Sequence, residues 1–187
     1  MLKSVSTLEF ALMGLIQQKP QSGYDLRKTF ATTAMRHYSD SPGSIYPALR
    51  RLEARGWISA RPRRTNESEN ARRRRVFALT EEGRKALVAW IERALSPQDV
   101  QLRAHELMLR FAFMDGNVPR TVACRFLADF EREHSIYVAE LRRQFEEMRS
   151  NFPLHTGVLA FESGIVQMEA QLSWARRARD RLREESQ

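Results

Sequence analysis

Residues 41–58, SPGSIYPALRRLEARGWI, decide the fold that we predict for the first half of the chain. Ser41 and Pro42 are typical of a first helical turn, because serine caps free N–H groups and proline has no N–H to leave unbonded. The apolar residues that follow recur at helical spacing and predict one buried face: Ile45, Ala48, Leu49 and Leu52. Gly56 predicts the end of this helix, since glycine readily adopts the left-handed conformation found there.

The opposite face of this predicted helix is polar and suits the major groove of DNA. It carries the side chains of Ser44, Tyr46, Pro47, Arg50 and Arg51, with Ser41 at the N-cap. Hydroxyl and N–H groups at a helix N-terminus can hold phosphates, and arginine can bond two acceptors of one guanine. From this helix alone, an ordinary solvated surface explains the two arginines equally well.

Two short helices are predicted before this segment. Ser6 and Glu9 have the spacing of a capping box, in which the serine and the glutamate each bond a backbone N–H of the first turn. The first helix then has one apolar face: Leu8, Ala11, Leu12, Leu15 and Ile16. Ser22 is a suitable N-cap for the second helix.

Two short strands and a helix are predicted after the segment. The strands cover residues 57–60 and 76–79, and Thr80 begins a helix that Ser96-Pro97 ends. The order is therefore three helices, a strand, a loop, a strand and a helix, which is the order of a winged helix-turn-helix domain.

The loop between the strands, residues 61–75, is polar and rich in arginine. It carries seven guanidinium groups: Arg61, Arg63, Arg64, Arg72, Arg73, Arg74 and Arg75. Repulsion among them disfavours a compact hairpin unless a polyanion neutralises the charge, and DNA phosphates or the minor groove would do so. We assign DNA contacts to five of them: Arg63, Arg64, Arg72, Arg73 and Arg74. A nuclear-localisation signal or a heparin-binding patch is the alternative.

The excess positive charge lies entirely in the first half of the chain. Residues 1–95 contain 18 Lys and Arg against 9 Asp and Glu, whereas residues 96–187 contain 13 against 14. This asymmetry indicates a polyanion-binding domain over 1–95 and a separate helical domain over 96–187 that serves assembly and can also take an effector.

The second half is predicted to be helical almost throughout, so the fold class is mainly α. One apolar helix is predicted over about 99–114, a long one after Pro119 and a last one after Pro153. Two apolar stripes with heptad-like spacing run along the long helices: Val122, Phe126, Phe130, Tyr137, Leu141, Phe145 and Met148, then Val158, Phe161, Ile165, Met168, Leu172 and Ala175.

We expect these stripes to pack across a subunit boundary, because two long helices alone do not make a compact globule. The dimerisation residues are then Phe126, Phe130, Tyr137, Leu141, Ile165 and Leu172. A hairpin formed within one chain is the alternative.

Three segments resemble the PadR transcriptional regulators. They are the SGYDL sequence at 22–26, the whole of residues 41–58, and RRVFALTEEGRKAL at 74–87. The resemblance is strong over residues 5–95. It is looser in the second half, where it rests on LMLRFAFMDG at 107–116 and GIVQMEAQLSW at 164–174. Phe77 departs from the pattern, since many relatives have tyrosine there, so we expect no phosphate contact from a hydroxyl at that position.

The resemblance implies a homodimer held together by the C-terminal helices. Such a dimer would bind double-stranded DNA at a palindromic operator and often repress a neighbouring gene. Effectors of the family include phenolic acids and planar hydrophobic drugs.

An effector of this kind could stack on aromatic side chains of the chain. The candidates are Trp90, Trp174 and His155, the histidine as a partner for a carboxylate. Phenylalanines near the assembly region can do the same: Phe111, Phe113, Phe126, Phe130 and Phe161. The alternatives are a core role for the phenylalanines, a subunit anchor for Trp174 and plain exposure for His155.

Other function classes lack their signatures in this sequence. The four histidines are scattered without ligand spacing and there is one cysteine, so neither a metal site nor another cofactor is predicted. There is no Gly-rich phosphate loop and no nucleophile elbow, so we do not expect an enzyme. An RNA-binding protein or a coiled-coil interaction protein without operator specificity is the alternative to a DNA regulator.

No membrane association is predicted either. The chain has no apolar run of about 18 residues, and Glu9 interrupts the apolar stretch near the N-terminus, where no cleavage site follows. We therefore expect a cytoplasmic protein.

Overall fold

The computed structural model describes residues 4–38, 42–60 and 75–184. The chain divides into two compact units, Met1–Arg93 and Ala94–Gln187. The division lies two residues before the boundary predicted from composition.

The N-terminal unit is a winged helix, as the order of predicted elements indicated. Its helices are α1 (Thr7–Gln18), α2 (Gly23–Thr32), α3 (Ile45–Ala54) and α4 (Glu81–Ile91). Short 3-10 helices cover Ala34–Tyr38 and Pro42–Ser44. Its strands are β1 (Gln21–Ser22), β2 (Ile58–Ala60) and β3 (Val76–Leu79), in the antiparallel order β1-β3-β2. The sequence pattern does not predict β1, whose two residues are too few to show alternation.

The core of this unit lies between α1, α2, α3 and α4. Its fully buried side chains include Leu12, Ile16, Leu26, Ile45, Leu52, Leu87 and Ile91. Capping boxes confirm the predicted start of α1 at Ser6 and begin α2 at Ser22. Phe10 stacks on Trp90 with ring centroids 4.5 Å apart, which joins α1 to α4. The apolar face predicted for α3 is buried as expected.

Helix α3 begins later than the sequence predicted. Pro42–Ser44 forms a 3-10 turn, and the α-helix starts at Ile45 with Ser44 as an N-cap that makes no side-chain capping bond. This start places Pro47 in the first turn, where backbone N–H groups have no intrahelical acceptor. A start at Pro42 would have put Pro47 inside the helix, where its missing N–H costs a hydrogen bond.

A compact backbone anchor joins the end of α3 to the start of α4. Gly56 has φ +72°, which confirms the predicted left-handed terminator. The hydroxyl of Thr80 donates to the carbonyl of Gly56 at 2.7 Å and accepts the N–H of Gly83 at 3.0 Å, while the N–H of Thr80 donates to the carbonyl of Trp57 at 3.1 Å. A Cβ atom on Gly83 would lie 2.0 Å from the carbonyl oxygen of Trp57. The glycine of the Leu-Thr-x-x-Gly pattern formed by residues 79–83 thus has a steric cause.

The C-terminal unit is helical in all its described elements. These are α5 (Pro97–Leu102), α6 (Ala104–Ala112), α7 (Arg120–Asn151) and α8 (Thr156–Glu184). The single helix predicted over about 99–114 is two helices, with Arg103 between them in a non-helical conformation. Ser96-Pro97 does not end the helix before it, which stops at Ile91, but opens α5, because Ser96 forms a capping box with Asp99.

Helices α7 and α8 pack on each other as an antiparallel hairpin within one chain. The ion pair of Arg142 with Glu169 and the stacking of Phe145 on Phe161 mark this contact. Three residues assigned to dimerisation are buried in the chain itself: Phe126, Phe130 and Ile165. These three residues pack within the intrachain hairpin that was the alternative, and their part in dimerisation stays a prediction. The other three are partly exposed: Tyr137, Leu141 and Leu172.

Candidate nucleic-acid interface

An open groove of about 360 Å³ lies between the start of α2, the outer face of α3 and strand β3. It is lined by Ser22, Gly23, Tyr24, Tyr46, Leu49, Arg50, Glu53, Arg75 and Phe77. Leu49 and Phe77 form a buried apolar floor. Tyr24 and Tyr46 are 43% and 44% exposed and stand at its rim. The groove therefore presents aromatic and cationic side chains together on the surface of the winged helix.

The residues predicted on the polar face of α3 differ in their surroundings. Tyr46 and Arg50 are exposed and both line the groove. Ser44 and Pro47 are half-buried in the first turn. An exposed aromatic ring and an exposed guanidinium one helical turn apart can reach a single partner lying along α3.

Arg51 points elsewhere and is already engaged. Its Nε donates to Oε1 of Glu9 at 3.1 Å. The Glu9 side chain is 2% exposed, and its other oxygen accepts the backbone N–H and the hydroxyl of Ser6 at 2.8 and 2.9 Å. Arg51 thus ties α3 to the first turn of α1, a contact between residues 42 positions apart that the sequence pattern does not reveal.

A second ion pair, also missed from the sequence, joins α3 to the wing, which is the hairpin formed by β2, β3 and the loop between them. Nη2 of Arg75 contacts Oε1 of Glu53 at 2.5 Å, and its guanidinium lies 5.4 Å from the ring centre of Phe77. A local signal existed, because Glu53 follows Arg50 by three residues and so shares its helix face. Tyr24 was also missed, although its place beside Gly23 marked it.

Several predicted contact residues lie outside the described residues. They are Ser41, Arg63, Arg64, Arg72, Arg73 and Arg74, and Arg61 of the same loop also lies outside the described residues. Of the seven arginines of the loop, Arg75 is described, and it lies at the edge of the groove.

The candidate effector residues do not gather at one place. Trp90 belongs to the N-terminal unit, where it is buried against Phe10. Trp174 lies in α8 and makes edge contacts with Phe111 and Phe130, with centroids 5.5 and 6.2 Å away. His155 is exposed just before α8. About 27 Å of helix separates it from Trp174, so these two cannot line one small site within a chain.

A buried histidine lies in the same aromatic cluster as Trp174. His134 is fully buried between α7 and α8, stacks on Phe130 at 4.1 Å, and has Nε2 3.0 Å from the side-chain oxygen of Gln171. Its Nδ1 is buried without a hydrogen-bond partner among the described residues. Burial lowers the pKa of His134, and the bond to Gln171 offsets this only in part.

The stability of the hairpin should therefore fall in mild acid. Because the folded pKa lies below the ordinary value near 6.5, the unfolded chain binds the proton more readily. The resulting loss of stability begins as the pH falls through about 6.5 and continues towards the lower folded pKa. We expect His134→Gln to show a smaller drop in melting temperature than the wild type between pH 7.5 and about 5.5, as followed by far-UV circular dichroism.

The exposed His155 supplies the matched control for this prediction. His155→Gln makes the same substitution at an exposed histidine of the same unit and gives the comparison for the loss of an imidazole. Identical pH profiles for His134→Gln and the wild type would mean that this imidazole does not control the acid response.

Neither a metal site nor a membrane span is present in the part of the chain that the structure describes. No group of three or more His, Cys, Asp or Glu side chains within 4–38, 42–60 and 75–184 is placed to hold a metal ion. Over the same ranges, no helix has both the length and the apolar character needed to cross a bilayer.

Comparison with known proteins shows similarity to a family of transcriptional regulators. Residues 12–89 match the family model described as the transcriptional regulator PadR-like family. The negative transcriptional regulator PadR of Bacillus subtilis (strain 168) is 25% identical over 145 residues, which cover 77% of this chain and 76% of that protein. The crystal structure of Bacillus subtilis PadR with operator DNA shares 22% identity at a TM-score of 0.42, covering 94% and 98% of the two chains. The structure of the same protein with p-coumaric acid shares 20% identity at a TM-score of 0.43, covering 96% and 97%.

Proposed function

We propose that the chain is a repressor that binds a palindromic DNA operator as a homodimer in the cytoplasm, and the match of residues 12–89 to the PadR-like family of transcriptional regulators supports this. Members of this family are regulators and not enzymes. The observation that carries the proposal is the division of α3 into two faces. Its apolar face is buried in the core, while Tyr46 and Arg50 are exposed at the groove.

The electrostatics of the first half support a polyanionic partner. Residues 1–95 carry twice as many basic as acidic side chains. An exposed helix face, followed in the sequence by an arginine-rich loop between β2 and β3, suits the way winged helices engage a duplex, with the helix in the major groove. In this proposal Arg50 reads base edges, and the wing arginines hold phosphates.

The repressor role and the dimer rest on different observations. The curated relative from Bacillus subtilis is named a negative regulator, which favours repression.

For the dimer, Tyr137 and Leu141 line an open groove between α5 and α7, beside Ile136, which is 62% exposed. Apolar surface of this kind favours contact with a second copy. The two half-sites of the operator would then lie about 34 Å apart, or a multiple of this.

We extend the proposal to release from DNA by a small aromatic effector. The aromatic cluster of the C-terminal unit supports it, since Phe111 is half-buried and carries Trp174 at its edge. Phe111 also lines an open cavity of about 600 Å³ with Met114, Val118 and Leu182. A flat apolar ligand suits such walls. Trp90 and His155 contribute less to this idea, because one is buried in another unit and the other is remote.

DNA binding is tested with Arg50→Ala and with the triple variant Arg72→Ala, Arg73→Ala, Arg74→Ala. The probes are a duplex selected from a random library by the wild-type chain and a random duplex of equal length. We expect Arg50→Ala to lower the affinity for the selected duplex by about 5- to 150-fold, which corresponds to 1–3 kcal/mol per base-reading arginine, and to affect the random duplex far less. The triple variant should lower the affinity for both duplexes alike. It should also reduce the slope of log K against log salt concentration by about 0.9 for each phosphate that is no longer neutralised.

Arg125→Ala is the control, because Arg125 is an exposed arginine on α7 in the other unit. It should bind like the wild type. Equal losses of Arg50→Ala on both duplexes would rule out base reading by α3. A selected RNA that binds more tightly than any duplex, or a footprint without two-fold symmetry, would contradict the operator proposal.

A further inference from the structure

Gly23 lies unusually close to helix α3. It is the first residue of α2, directly after the N-cap Ser22, and it is buried. A Cβ atom built on Gly23 would lie 2.7 Å from Cε1 and 3.3 Å from Cδ1 of Tyr46, and 3.2 Å from Cδ1 of Leu49. The tyrosine ring therefore rests directly against the backbone of α2.

The backbone conformation does not explain a glycine at this position. Among the described residues, Gly56 and Gly116 are the ones with positive φ, so Gly23 has a conformation that alanine also adopts. Alanine is in addition the better helix former of the two. A side chain at position 23 would instead disturb the close contact between α2 and the side chains of α3.

The two neighbours of Gly23 differ in their freedom to move. Leu49 is 2% exposed and packed in the core, where side chains have little room. Tyr46 is 44% exposed and stands at the rim of the groove. A methyl group on Gly23 would therefore displace the Tyr46 ring from α2 rather than move Leu49.

We propose that Gly23 is a positioning residue for operator recognition: its missing side chain lets the Tyr46 ring lie against α2 and so fixes how Tyr46 is presented beside Arg50. The assignment rests on the proposed function, because it gives Tyr46 a part in DNA contact. It links the Gly-Tyr pair at the start of α2 to the tyrosine on α3, two sequence features 23 positions apart.

The first test is a contact measurement that needs no DNA. In the wild-type chain, nuclear Overhauser effects should connect the Hα protons of Gly23 with the ring protons of Tyr46. The ring should also shift the Hα resonances of Gly23, and these should move to ordinary values in Tyr46→Ala. Absence of both signals would overturn the assignment.

The second test is a double-mutant cycle on the duplex selected by the wild type. Gly23→Ala should bind that duplex roughly three- to tenfold more weakly, since a displaced side chain costs about this factor, while its melting temperature stays near that of the wild type. In a Tyr46→Ala background, the same change at position 23 should cause no further loss, because the ring is gone.

Gly164→Ala provides the matched control. Gly164 lies in α8, and a Cβ atom at this position would have no other atom within 4 Å among the described residues, so this variant should bind like the wild type. Equal losses from Gly23→Ala with and without Tyr46 would show that Gly23 does not act through the ring. If the wild type bound no duplex, the proposed function itself would fail and this assignment with it. A wild type that binds while Gly23→Ala binds equally well would sink this assignment alone.

Discussion

Replacing Gly83 with alanine is expected to lower the free energy of unfolding of the N-terminal unit by roughly 3 kcal/mol or more, which is the upper range for inserting a methyl group into a packed site. The new Cβ would meet the carbonyl oxygen of Trp57 at 2.0 Å. That oxygen belongs to the backbone and accepts the N–H of Thr80, so it cannot swing away as a side-chain tip would. Either α4 must shift as a body or the anchor must open.

Urea denaturation followed by tryptophan fluorescence measures this loss. Trp57 and Trp90 both lie in the N-terminal unit, and Trp57 adjoins the anchor. Gly164→Ala, the same chemical change in open space on α8, should leave stability within about 1 kcal/mol of the wild type. Equal urea midpoints for Gly83→Ala and the wild type would disprove the steric account of the Leu-Thr-x-x-Gly pattern.

Arg51→Ala is expected to lower stability by about 1–2 kcal/mol. It would leave the carboxylate of Glu9 buried without its cation, which is costly because a buried charge needs a partner. The expected loss is below the usual range for buried pairs because the Arg51 side chain is 45% exposed and partly screened by water. The exposed Arg50 should show the opposite profile, with unchanged stability and reduced binding.

Thermal denaturation and DNA titration of the same variants separate the two arginines. Glu9→Gln keeps the size of the side chain and removes its charge, so in that background Arg51→Ala should cost less than it does alone. If Arg51→Ala melts like the wild type but loses preference for the selected duplex, Arg51 reads bases, as the sequence interpretation has it.

The features of this fold that the sequence predicts are those set by residues close together in the chain. The apolar spacing identifies the buried face of α3 and part of the buried surface of α1, which also buries Glu9 and Met13. Gly56 marks the end of α3. These features follow from neighbouring residues, because helical period and chain reversal are local. The start of α3 is harder to predict, because Ser41-Pro42 and Pro47 are both typical of a first helical turn. The helix begins at Ile45, so its first turn contains Pro47. Ser96-Pro97 is ambiguous in the same way, since it follows one helix and also opens the next.

Contacts between distant residues are beyond such patterns. The stripes on α7 and α8 predict apolar faces, but periodicity does not say whether the partner of a face is in the same chain. The ion pair of Glu9 with Arg51 leaves no local pattern in the sequence. The sequence therefore predicts the same role, DNA contact, for Arg50 and Arg51. Likewise, Gly23 shows its significance only once the ring of Tyr46 is placed against it.

The contact of Arg75 with Glu53 and Phe77 has a consequence for the cost of association. A free arginine side chain loses up to about 2 kcal/mol of rotamer freedom when it is immobilised. In the unbound protein Arg75 is already held by a carboxylate on one side and an aromatic ring on the other. Part of that entropic cost is therefore borne by folding, and under the proposed function a phosphate at this edge of the wing would meet a partly preorganised donor.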